Sequence, residues 1–182
     1  MRALVVYESM FDSTHELAEA IADGLHDQCH VHVARVDAVA DHDLQDVDLL
    51  VAGAPTHAHS LSTEASRRQA AAWSADPKQD VSLEEPESAV GLREWIARIS
   101  TAPPLFAAFD TRSDLPRLIT GAASARIGRE LRKKGAIPVV PPESFLVDRY
   151  VGLKAGEADR GRSWGRQIAE QAALASASGA QL

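Results

Sequence analysis

Ala3-Leu4-Val5-Val6-Tyr7, followed by the polar turn Glu8-Ser9-Met10-Phe11-Asp12-Ser13-Thr14, is the stretch on which the fold turns. A continuous apolar run suits a strand covered on both faces, because a strand with one wet face alternates. From Thr14 to His26 the period changes. Leu17, Ala18, Ile21, Ala22 and Leu25 fall on one side, with His15, Glu16, Glu19 and Asp23 opposite, the pattern of an amphipathic helix. Strand, short turn and helix in this order begin an alternation that continues along the chain.

Three further apolar runs, Leu49 to Ala54, Leu105 to Phe109 and Ile137 to Val140, predict buried strands. Val31 to Val36 partly alternates and reads as a half-exposed edge strand, and Pro138 marks the last run as an edge because proline cannot donate to a ladder. Helices are expected from Ala123, Ile127 and Leu131, ending at Lys133, Lys134 and Gly135, and from Gly161, Trp164, Gly165, Ile168 and Ala172. Shorter ones are expected at Glu64 to Trp73 and Val90 to Ile99, with an acidic surface loop from Ser74 to Ser88 and a fraying tail from Ala175 to Leu182. The fold class that follows is α/β, a doubly wound five-stranded parallel sheet of order 2-1-3-4-5 in a single domain spanning residues 1–182. That order puts a ligand crevice at the carboxyl ends of the first and third strands.

With 19 Lys and Arg against 26 Asp and Glu, the formal charge of −7 argues against a nucleic-acid role. The basic stretch from Arg126 to Lys134 reads as a helix end whose cations complement the dipole. Cys29 is the only cysteine, so neither an internal disulfide nor a thiolate zinc site forms. The opening apolar run is too short for a signal peptide or a membrane span, and a cytoplasmic chain with no membrane or nucleic-acid partner is expected.

Hydroxyl side chains and unpaired amides where a strand turns into a helix make an anion cradle. The turn from Glu8 to Thr14 resembles the phosphate-binding loop of flavodoxins, roughly Ser/Thr-x-Thr-Gly-x-Thr, with Ser9 and Thr14 at the outer positions and Asp12 where that family has glycine. Asp48 to Ser60 is similar to the third strand and flavin-flanking loop of the family, and Phe109-Asp110-Thr111-Arg112 to the start of its second flavin loop. Pro141 to Val147 and the closing helix resemble a flavodoxin-like subgroup associated with actinobacteria. The resemblance implies noncovalent FMN, its phosphate held by Ser9, Met10, Phe11, Asp12, Ser13 and Thr14, and its ring bordered by Pro55, Thr56, His57, Ala58, His59, Asp110, Thr111 and Arg112. It also implies electron transfer with a redox partner protein, or a small flavin oxidoreductase, without a catalytic side chain; the negative charge suits a basic partner.

An alternative stays open: a flavodoxin-like module whose flavin site is degenerate, acting as a noncatalytic protein- or ligand-binding domain with FMN lost. It draws on Asp12, on a histidine standing where the stacking aromatic usually is, and on Ser13-Thr14-His15-Glu16, a capping-box string with Ser13 as cap. His57 and His59 have no evident third ligand and read as exposed or flavin-side rather than metal-binding. Gly161-Arg162-Ser163-Trp164-Gly165 matches a nucleophile elbow in letters only, since no strand precedes it. Arg160, Arg162 and Arg166 read as a solvated helix face. The third strand ends Ala54-Pro55-Thr56, without the phosphate-accepting aspartate of a receiver domain, and no G-x-G-x-x-G follows the first strand.

Overall fold

The computed structural model describes residues 1–9, 12–56, 60–68, 90–116, 120–148 and 152–179. β1 (Arg2–Tyr7) lies between β2 (His30–Arg35) and β3 (Leu49–Pro55), and β3 pairs with β4 (Leu105–Ser113), all in parallel. Because successive side chains point to opposite faces, these strands feed two cores. Val5, Val51, Ala107 and Phe109 enter one, where Leu17, Ile21, Trp164 and Ile168 cover them from α1 (Ser13–Leu25) and α4 (Glu157–Gly179). Leu4, Val6, Leu50 and Phe106 enter the other, under Trp95 and Ile96 of α2 (Leu92–Arg98) and Ile127 and Leu131 of α3 (Ala123–Lys133). Both faces are dry, which is why the strands read as unbroken apolar runs. Among the described residues no helix is long and apolar enough to cross a membrane.

The expected five-strand parallel sheet needs correction at its far side. The fifth position is filled twice: β5 (Ile137–Pro138) pairs with the start of β4, and β6 (Glu143–Asp148) pairs with its second half, Phe109 opposite Glu143. Pro141 and Pro142 separate the two, and with no N–H to donate they interrupt the ladder. β7 (Gly152–Leu153) then folds back antiparallel on β6, giving the order β2-β1-β3-β4-β6-β7 with β5 beside β4. The sheet is therefore mixed, with seven strands among the described residues. β6 escaped the apolar-run criterion because its sequence, Glu143-Ser144-Phe145-Leu146-Val147-Asp148, buries only Phe145 fully.

Residues 64–68 are helical, whereas the rest of the helix expected up to Trp73 and the acidic stretch from Ser74 to Ser88 lie outside the described residues. α4 continues through the segment expected to fray as far as Gly179. Arg160 is not a solvated residue: its guanidinium lies 4.1 Å over the Phe145 ring and pairs with Glu143 and Glu157 at 2.6 Å each.

Glycines set the distance between α1 and α4. A Cβ on Gly24 would stand 2.1 Å from the Arg162 carbonyl oxygen, and one on Gly165 2.2 Å from that of Ile21. The Gly161-x-Ser163-x-Gly165 string is thus a site of helix contact within α4, as the missing strand required. Gly165→Ala would favour an unpacked helix by about 1 kcal/mol. Here the helices must separate to admit the methyl, so a net loss of about 1–3 kcal/mol is expected. Urea denaturation checks this, and an unchanged or raised midpoint would contradict the close approach.

Candidate functional site

β1 and β3 end side by side with Tyr7 opposite Gly53, and the Glu8 amide donates to the Gly53 carbonyl at 2.9 Å. Beyond them the chain turns into α1 through Asp12, whose φ of 65° and ψ of −30° belong to the region glycine enters freely and Asp more readily than most residues. The expected capping box does not form. Asp12 rather than Ser13 is the cap position, its carbonyl accepting from the Glu16 amide at 3.0 Å, and the Asp12 side chain makes no cap hydrogen bond. Starting one residue early takes Glu16 out of the third helical position, from which it would reach back.

The Asp12 side chain is 72% exposed and turned along the helix, with Oδ1 3.2 Å from Nδ1 of His15. The His15 ring stacks on Tyr7, with centroids 4.7 Å apart and planes 5° from parallel. Ser9 Oγ is buried and has no hydrogen-bond partner among the described residues. β7 closes one side of the turn: a Cβ on Gly152 would lie 3.7 Å from Ser13 Oγ. Met10 and Phe11 lie outside the described residues.

β4 runs on to Ser113, so Asp110, Thr111 and Arg112 belong to a strand rather than to a loop. Strand periodicity separates them. Thr111 turns to the α1 side, where its hydroxyl meets that of Thr14 at 2.8 Å, both residues buried. Asp110 turns to α3, accepting at Oδ2 from the Ser124 amide at 2.8 Å and from Ser144 Oγ at 3.3 Å. Thr56 Oγ1 accepts from the neighbouring Ala123 amide at 3.0 Å. Thr56 and Asp110 thereby cap the N-terminus of α3 from β3 and β4, a carboxylate at the positive end of the helix dipole. Pro55 pairs with Thr111 across the sheet, and Arg112 bends back to donate to the Leu115 carbonyl at 2.7 Å. His57, Ala58 and His59 lie outside the described residues.

Sequence reasoning passed over Glu8, which is 2% exposed. Its carboxylate accepts from Ser62 Oγ and, at 2.7 Å, from the Leu92 amide at the start of α2. Arg67, buried, donates to Ser62 Oγ at 2.9 Å and lies 3.2 Å from Glu94. This network ties the end of β1 to the segment from Ser60 onward and to α2, which fixes the far end of the loop leaving β3. The available signal was an acid placed directly at the end of a wholly apolar strand.

Burial pushes the carboxyl groups of both Glu8 and Asp110 above their usual range, against the hydrogen bonds they accept. A carboxyl whose folded pKa exceeds its unfolded one stabilises the fold most below the unfolded value and loses that contribution as the pH rises through the folded one. Asp110→Asn keeps a neutral acceptor, so its stability relative to the parent chain is expected to rise from about pH 4 upward. Urea midpoints across pH measure this, and parallel curves for the two chains would contradict it.

No protein-family model and no curated protein matches the sequence. Solved structures do match in shape. The Streptococcus pneumonia TIGR4 flavodoxin superposes with a TM-score of 0.63 at 18% identity, over 96% of this chain and 99% of that one. Flavodoxin 1 from Bacillus cereus gives 0.63 at 16% identity, over 93% and 98% of the two chains. The flavodoxin, WrbA-like protein from Agrobacterium tumefaciens gives 0.54 at 18%, over 95% and 98%. With the parallel β2-β1-β3-β4 sheet covered on both faces, this chain has the flavodoxin-like fold.

Proposed function

We propose that the chain binds FMN noncovalently at the carboxyl ends of β1 and β3 and passes electrons to or from a partner protein. One observation carries the reading: α1 begins there at Asp12, whose own side chain makes no cap hydrogen bond, beside a buried Ser9 hydroxyl that has no partner among the described residues. A helix start of this kind favours a phosphate through its amides and its dipole. Asp12 takes the glycine-like backbone conformation such a turn needs while its carboxylate leans on His15. Absence of the capping box removes the internal partner that would have replaced an anion.

On this reading Ser9 donates its hydroxyl to the phosphate, and Ser13 and Thr14 present their amides. The Thr14–Thr111 contact holds the first turn of α1 against β4 so that these donors keep their direction. Thr56 and Asp110 act through α3 rather than on the ring: by capping that helix they fix the strand ends between which a flat ligand lies. Bound FMN supplies one- and two-electron transfer; the protein's contribution is binding, orientation and the charge around the ring.

A carboxylate about 5 Å from a phosphate charge costs about 3 kcal/mol at an effective dielectric of ~20. The 72% exposure of the Asp12 side chain cuts that to about 1 kcal/mol. Purified protein is therefore expected to take up FMN with quenching of its fluorescence. Asp12→Gly should bind up to about tenfold tighter and Ser9→Ala about tenfold more weakly. A parent chain without flavin absorbance that quenches no added FMN would sink the proposal. Uptake by Asp12→Gly alone would mark the site of the parent chain as degenerate.

A further inference from the structure

α2 and α3 lie side by side on the sheet, and between them runs a groove of about 350 Å³ whose walls, among the described residues, carry Arg93, Arg126, Lys133 and Lys134 against one carboxylate, Glu130. Its apolar lining includes Ile96. This concentration of positive charge stands on a chain whose formal charge is −7. Lys133 and Lys134, at the end of α3, suit the negative end of that helix's dipole. Arg93 and Arg126 do not: each sits in the first turn of its helix, where the dipole opposes a cation, yet both line the same groove.

The cations are held in place. Arg93 donates to the Ser62 carbonyl at 2.9 Å and to that of Leu61 at 2.5 Å, and Lys134 donates to the Ile99 carbonyl at 2.6 Å. Lys133 pairs with Glu130 at 3.0 Å, which leaves Arg126 only loosely against that carboxylate, at 3.9 Å, and the buried Nε of Arg126 has no hydrogen-bond partner among the described residues. At about 1.5 Å of rise per residue, Arg126 and Lys133 stand about 10 Å apart along α3. The groove thus offers Arg126 and Lys133 on either side of Glu130 along α3, with Leu61, Ile96 and Ala97 as its apolar lining. Among the described residues no aromatic ring lines it, so they offer a nucleotide base no stacking surface.

We infer that the α2–α3 groove is a docking surface for an acidic helical segment of a partner protein. Such a helix would present carboxylates two turns apart and apolar side chains between them. Carboxylates at i and i+7 match the spacing of Arg126 and Lys133, and leucines at i+3 and i+4 meet Ile96. None of the residues lining the groove is among the proposed flavin contacts, and the docking surface does not rest on flavin uptake.

The test uses the full-length chain and a fluorescein-labelled helical peptide with glutamates at i and i+7 and leucines at i+3 and i+4, read by anisotropy. Binding is expected to weaken as salt rises from about 0.02 to about 0.2 M. Arg126→Gln/Lys133→Gln should lose about tenfold in affinity, and Glu130→Gln should gain about threefold. Arg129→Gln/Arg132→Gln, which removes the same charge from α3 outside the groove, should change it less than twofold. Circular dichroism verifies that each variant keeps its helices. Equal affinity for the parent and Arg126→Gln/Lys133→Gln, or equal losses in both double variants, would overturn the docking surface. Displacement of the peptide by an equimolar amount of inorganic pyrophosphate would do the same, pointing to a small-anion site instead.

Discussion

The parallel ladder between β1 and β3, with Tyr7 opposite Gly53, is the constraint on which the remaining geometry depends. It brings two chain turns to one end of the sheet, and dry packing on both faces leaves that end as the place where polar groups collect. The ladder also needs a residue without a side chain: at Gly53 a Cβ would stand 2.0 Å from the Phe109 ring. Phe109 packs edge-on against Trp164 of α4, with centroids 6.4 Å apart. One glycine in β3 therefore lets β4 and α4 fill the same core.

Two buried carboxylates act as struts from this end of the sheet. Glu8 reaches to the start of α2 and Asp110 to the start of α3, each accepting a main-chain amide where four are unpaired by the helix itself. α1 begins at the same end without a strut of this kind. The three helix starts are thus chemically unlike: two take a carboxylate from a strand end, and the third stands beside the buried Ser9 hydroxyl. This difference is the physical basis of the anion site proposed at α1.

The distribution of charge is as uneven as that of the caps. A formal charge of −7 describes the chain as a whole, while the groove between α2 and α3 carries, among the described residues, four cations against one carboxylate. A partner therefore meets a local field whose sign the composition does not give, and the field within about a Debye length governs docking.

Much of the fold was legible in the chain itself. Apolar runs located β1, β3 and β4, partial alternation marked β2 as an edge, and helical stripes located α1, α3 and α4, because burial on both faces or on one stripe leaves a local periodic trace. The glycine-like turn at Asp12 was also readable, since Asp is among the few residues that tolerate it. What depended on distant partners was not. Pro138 marked an edge, but only pairing with β4 shows the chain breaking off after it and resuming the same position as β6. Length alone decided that Asp110 and Thr111 face opposite ways: β4 extends past its apolar run because β6 offers it a ladder. Capping of α3 by Thr56, burial of Glu8 against Ser62 and α2, and the placing of Arg93 and Arg126 on one groove join residues 33 or more positions apart, beyond the reach of any local period.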